Sequence, residues 1–78
     1  MSKESIKAYV LINVSVGREY DIVEKIREID GVEEAHVVYG EYDIIVKISG
    51  SYLKEIEKAV MKIRHIDGVI RSTTLITT

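Results

Sequence analysis

Hydrophobic and polar positions along the chain change period several times, and each change marks an expected element. From Lys7 to Val14 the residues alternate, with Ala8, Val10, Ile12 and Val14 in one row and Tyr9 and Leu11 in the other. β-Branched and aromatic residues in alternation predict a strand. From Gly17 or its neighbours the spacing becomes helical, carried by Tyr20, Ile22, Val23, Ile26 and Ile29. Glu19 and Asp21 fall in the first turn, where acids suit the positive end of the helix dipole. Strands are expected again over Val32 to Tyr39 and over Glu41 to Ser49. The latter sets Tyr42, Ile44, Val46 and Ile48 against Asp43, Ile45 and Lys47. Ser51 is the expected N-cap of a second helix. Leu53, Ile56, Val60 and Ile63 stripe one face of that helix, and Lys54, Glu55, Glu57, Lys58 and Lys62 occupy the other. Val69 to Thr77 closes the pattern as a strand, with Val69 and Leu75 set against Ile70 and Ile76.

An internal repeat turns these elements into a fold. Lys25-Ile26-Arg27-Glu28-Ile29-Asp30-Gly31-Val32 recurs as Lys62-Ile63-Arg64-His65-Ile66-Asp67-Gly68-Val69, differing only where Glu28 becomes His65. In both copies a helix runs into Ile-Asp, a glycine supplies the left-handed residue that stops it, and a valine folds back on the last turn. Val32 is expected toward Ile26 and Val69 toward Ile63. Two tandem β-α-β units, joined by a tight turn near Tyr39-Gly40-Glu41, predict an α+β fold of the ferredoxin-like β-α-β-β-α-β type. Right-handed crossovers place both helices on one face of a four-stranded antiparallel sheet. The whole of 1–78 is expected to be a single domain, with 1–5 as a disordered or extended tail.

The second sheet face is not as polar as water would ask for. Tyr9, Leu11 and Ile45 fall on it, and the closing strand has apolar residues in both rows. Apolar patches of several hundred Å² on a small domain mark contacts, and symmetric self-association is the commonest form. Composition points the same way. A chain of 78 residues usually draws on disulfides, metals or oligomerisation for stability, and this one has no cysteine and two well-separated histidines, His36 and His65. Dimerisation through the open sheet faces is therefore expected.

Charge and motifs narrow the functional classes. A net charge of −2 gives no basic face for nucleic acid. The chain lacks phenylalanine and any basic, aromatic strand signature of RNA-binding sheets. The apolar run Ala8 to Ile12 is far too short to span a membrane, and the polar start is unlike a signal peptide, so a soluble, cytoplasmic protein is expected. Abundant Ile, Val, Lys and Glu, with Asn13 the only side-chain amide, fit a thermophile. Glycines at 17, 31, 40, 50 and 68 punctuate element ends and make no phosphate-binding motif. Neither histidine has metal-ligand spacing to another group, no nucleophile sits in a catalytic turn, and no cofactor site is indicated. What remains is Val37-Val38-Tyr39-Gly40-Glu41-Tyr42-Asp43. Main-chain N–H groups around Gly40 suit a carboxylate, Asp43 suits an ammonium, and the tyrosines suit a pocket wall. Ser72, Thr73 and Thr74 add hydroxyls. A plain hairpin and ordinary strand propensity explain the same residues, and the residues alone favour that reading.

The run Val38-Tyr39-Gly40-Glu41-Tyr42-Asp43-Ile44-Ile45-Val46-Lys47, the helix after it, Ile66-Asp67-Gly68-Val69 and the Ser/Thr-rich closing strand resemble the effector-binding (RAM) domain of Lrp/AsnC feast/famine regulators. The resemblance covers Ile6 to Thr77. It implies dimers with facing sheets, assembly into rings such as four dimers, and amino-acid effectors held at contacts between dimers. By resemblance the ligand-binding residues are Val38, Tyr39, Gly40, Glu41, Tyr42, Asp43, Ser72, Thr73 and Thr74. Gly40 and its neighbouring main chain would hold the effector's carboxylate or amino group. Asp43 would meet the ammonium or organise the pocket, and Ser72 and Thr74 would contribute hydroxyls. Family members usually carry an N-terminal helix-turn-helix, whereas here only Met1 to Ser5 precede the first strand. A stand-alone module without direct DNA binding is thus expected, acting with itself and with full-length regulators. Tyr39 is bulkier than the small residues typical before the glycine, which bears on how open the pocket is. Two other classes stay open: a purely structural assembly domain, and a small enzyme of the dimeric α+β barrel type.

Overall fold

The computed structural model describes residues 6–78, and the tail expected over 1–5 lies outside them. Its elements run β1 (Ile6–Val14), α1 (Glu19–Arg27), β2 (Val32–Val37), β3 (Ile44–Gly50), α2 (Leu53–Arg64) and β4 (Val69–Ile76). The strands form one sheet in the order β2-β3-β1-β4, all neighbours antiparallel. This is the expected ferredoxin-like topology, with the first strand at the centre of the sheet. No helix is long and apolar enough to cross a membrane among the described residues.

The core is the row that the alternation marked. Ala8, Val10, Ile12 and Val14 of β1 are buried beside Ile44, Val46 and Ile48 of β3 and Ala35 of β2. The helices close over them with Ile22, Val23 and Ile26 from α1 and Ile56, Ala59 and Ile63 from α2. Fully burying each such isoleucine is worth about 1.5–3 kcal/mol relative to leaving it exposed. The helical stripes were read slightly too wide. Tyr20 and Leu53, expected on apolar faces, each lie in the first turn of a helix and are exposed.

Three local expectations need correction. The β2–β3 connection is not a tight turn at 39–41 but a loop over 38–43, because the ladder ends at Val37 and Ile44. The N-cap of α2 is Tyr52 rather than Ser51. Glu55 still reaches back to accept a bond from the Ser51 N–H at 2.7 Å, as an acid in the first helical turn can. Finally, the β1–β4 register shifts between Asn13 and Val14. The bulge puts Val69 opposite buried Val14, leaves Ile70 exposed, and returns Leu75 to the open face opposite Tyr9. Val69 and Leu75 therefore do not share a row.

The two repeat copies end alike. Gly31 and Gly68 both have positive φ, and the valine after each donates its N–H to the isoleucine three residues back. Their surroundings differ. A Cβ at Gly31 would find ordinary contacts from 3.5 Å, whereas one at Gly68 would lie 2.8 Å from Ile22 Cδ1 and 3.1 Å from Arg18 Nη1.

The registers also define the face without helices. Leu75, Tyr9, Lys47 and Glu34 form one cross-strand row on it, and Thr73, Leu11, Ile45 and His36 form the next. At one side Glu33 approaches Lys47 at 3.5 Å and Lys7 at 3.9 Å. A hydrogen bond with Ser49 holds the Glu33 carboxyl below the usual range; partial desolvation opposes this, and the two lysines reinforce it.

Gly68→Ala should destabilise the domain more than Gly40→Ala, whose added Cβ meets nothing within 4 Å. Both changes incur the positive-φ strain, and overpacking adds about 1–3 kcal/mol at Gly68 alone. Urea midpoints of the two variants check this. Because the folded-state pKa of Glu33 is depressed, its contribution is present above the unfolded-state value and lost as pH falls through the folded one. Glu33→Gln should thus be less stable than wild type at neutral pH and converge with it in acid, which melting curves across that range will show.

Candidate functional site

The loop over 38–43 is held by its own ends and by β1. Val38 N–H donates to the Asp43 carbonyl at 2.8 Å, closing the loop at its base. Asp43 N–H donates to the Ile12 carbonyl at 2.9 Å. The Asp43 carboxylate accepts a bond from the Val14 N–H through Oδ2, also at 2.9 Å. Val14 is where β1 bulges against β4 and has run past the end of β3, so its amide would otherwise lack a strand partner. Asp43 supplies that partner from its side chain. A second brace comes from Asn13, whose Nδ2 donates to the Glu41 carbonyl at 3.0 Å.

These bonds leave the main-chain N–H groups at the tip of the loop unspent. None of the N–H groups of Tyr39, Gly40, Glu41 and Tyr42 donates to another group among the described residues. Gly40 has φ +123, a conformation that L side chains rarely adopt, and open space on its Cβ side. Tyr39 projects fully into solvent, so within one chain it does not block the approach to Gly40. Tyr42 and Asp43 are half-buried.

The hydroxyl residues are only partly gathered with the loop. Ser72, Thr73 and Thr74 stand opposite Ile12, Leu11 and Val10, on the far side of β1 from β3. Two strand spacings, roughly 10 Å, separate them from the β3 backbone. Their side chains also divide between faces. Ser72 and Thr74 share the helix-facing side with Ile12 and Val10, and Thr73 lies on the open face beside Leu11. Thr74 lines a groove of about 510 Å³ against α2. Three further hollows are lined elsewhere: near Asp30 and Lys58, on the open face around Tyr9 and Ile45, and beside Arg27 and β2. The loop tip and the β4 hydroxyls thus lie apart on one chain, and none of these hollows is lined by both.

Neither histidine gathers a metal site, and no cluster of three suitable ligands occurs among the described residues. His36 on the exposed edge strand pairs with Glu34 at 2.9 Å. His65 is the C-cap of α2, and its Nδ1 lies 2.8 Å from the Met61 carbonyl. The residue that reading the sequence passed over is Asn13. It stood out there only as the chain's single side-chain amide, and its partner is a main-chain carbonyl that no side-chain pattern can announce.

Comparison with known proteins places this geometry. An uncharacterized HTH-type transcriptional regulator of Pyrococcus furiosus is 39% identical over 57 residues, covering 72% of this chain and 38% of that protein. The HTH-type transcriptional regulator LysM of Saccharolobus solfataricus is 36% identical over 56 residues, covering 72% of this chain and 39% of that one. The chain therefore spans somewhat over a third of the length of these curated relatives, which are named as regulators of transcription and not as enzymes. The crystal structure of a hypothetical protein from Pyrococcus horikoshii superposes with a TM-score of 0.87 at 35% identity, covering 94% of this chain and 89% of that one. The family model of the Lrp/AsnC ligand binding domain matches residues 7–78, and the chain belongs to that family.

Proposed function

We propose that this chain is an amino-acid-binding and oligomerisation module of the Lrp/AsnC type, which influences transcription indirectly by assembling with itself and with full-length regulators. The observation that carries the reading is the loop tip. Four consecutive N–H groups, Tyr39 to Tyr42, are free of partners among the described residues, on a loop that Asp43 and Asn13 hold rigid. Successive main-chain N–H groups in a turn form a concave site for an anion, here an effector carboxylate. Asp43 spends Oδ2 on Val14 and keeps Oδ1 for an ammonium group. The pairing of N–H donors with one carboxylate is the complement of a free α-amino acid.

A complete pocket then requires a second copy. The loop tip of one protomer is closed by residues such as Ser72, Thr73 and Thr74 of another, which accounts for the division of the predicted residues into two half-sites. Sheet-to-sheet packing of copies covers Tyr9, Leu11, Ile45 and Leu75, and the module works in the cytoplasm beside its regulators.

Titration calorimetry with each of the twenty amino acids tests the reading, with at least one expected to bind. Asp43→Ala should weaken that binding by tenfold or more, since it removes a charged partner and a charge-assisted bond worth about 1.5–3 kcal/mol. Asn13→Ala should weaken it less, through the loop alone. If no amino acid binds, the structural-assembly reading takes its place, and Asp43→Ala will then alter stability only.

A further inference from the structure

The two edges of the sheet are finished differently. In β2 the bond from Val38 N–H to Asp43 fixes the alternation, so Glu34 and His36 turn their main chain toward β3 and Ala35 turns its carbonyl outward. Arg27 covers that carbonyl, with Nε at 3.0 Å and Nη2 at 2.7 Å. A carbonyl that already holds a guanidinium fork is a poor acceptor for another strand, and Glu33 and Glu34 add charge to the same edge.

β4 has no such protection. Thr77 N–H donates to the Lys7 carbonyl at 2.9 Å, which sets Leu75, Thr73 and Arg71 as the residues bonded to β1. Ser72, Thr74 and Ile76 therefore direct their N–H and C=O groups away from the sheet, and nothing covers these among the described residues. Beside this edge runs the groove of about 510 Å³, walled by Thr74 and Ile76 and by Ile56, Val60 and Met61 of α2. Met61 and Ile76 are 50% and 45% exposed in it. Glu57 and Arg64 also line the groove, and neither forms an ion pair among the described residues.

We propose that β4 pairs antiparallel with β4 of a second copy around a two-fold axis at Thr74, extending the sheet and closing the groove from both sides. The occupant is a copy because the edge complements itself. β3 and β4 both run antiparallel to β1, so the crossover helix α2 runs antiparallel to β4. Glu57 thus lies toward the Ile76 end and Arg64 toward the Ser72 end. The two-fold sets Ser72 opposite the partner's Ile76, and with it Arg64 opposite the partner's Glu57, twice by symmetry. Arg71, the only charge in β4, faces the partner's Thr77 and not its own copy. Met61 of each chain enters the remaining groove. This seam is distinct from sheet-to-sheet packing and does not depend on an effector.

Thr74→Pro deletes an outward N–H at a position where an edge strand tolerates proline, so the domain should still melt cooperatively while its mass in sedimentation velocity falls by half. At low ionic strength Glu57→Arg and Arg64→Glu should each raise the concentration for half-dissociation by about tenfold. An equal mixture of those two variants restores both ion pairs in the mixed assembly and should return to the wild-type value. The proposal is overturned if Thr74→Pro folds with wild-type mass, which is also the outcome if a foreign strand is the true occupant. It is equally overturned if the mixture associates no better than either variant alone. Should Thr74→Pro fail to fold, the charge-swapped mixture decides alone.

Discussion

A four-stranded sheet has two faces, and the described chain has helices for one of them. Everything else in this domain follows from how that shortfall is met. The helix face is a dry layer of isoleucine, valine and alanine with no buried polar side chain. The opposite face mixes Tyr9, Leu11, Ile45 and Leu75 with a charged border of Glu33, Lys7, Lys47, Glu34 and His36. In the self-association we propose, such a border gives a facing copy a register to follow, because misaligned like charges cost more than aligned pairs gain. Self-association is the cover we propose for that second face.

The end of the β1–β3 ladder explains where the polar main chain is spent. β1 runs past its last β3 partner, Ile12, to Val14, and Asp43 takes over as partner for Val14. One carboxylate therefore fixes the base of the loop, caps the central strand and sits at the bulge that re-registers β4. β4 is the strand whose outer edge is open among the described residues. In contrast, Arg27 covers the outward carbonyl of Ala35 on the β2 edge.

Much of this was legible in the chain. The repeat around Ile-Asp-Gly-Val announced both helix ends, and the alternation in β1 and β3 named the core, since burial on one face leaves a period that survives any detail of packing. What could not be read were the features set by main-chain geometry. Val38 and Tyr42 look like strand residues, yet they belong to a loop because the β2–β3 ladder stops once Asp43 turns to β1. Ile70 looked like a member of a row and is the bulged residue outside both. Within the candidate site, Gly40 and Asp43 were visible as residue types suited to a zwitterion, whereas Asn13 was hidden. Its role depends on where the Glu41 carbonyl points, and no side-chain pattern encodes that.

The central claim is that the uncovered surfaces of this domain are covered by its own copies. Light scattering of the unmodified protein, at concentrations where a small dimer is saturated, measures this most directly. The account predicts a mass of at least twice the 8.9 kDa chain. A mass equal to the single chain would contradict it, and would mean that Tyr9, Leu11, Ile45 and Leu75 face water.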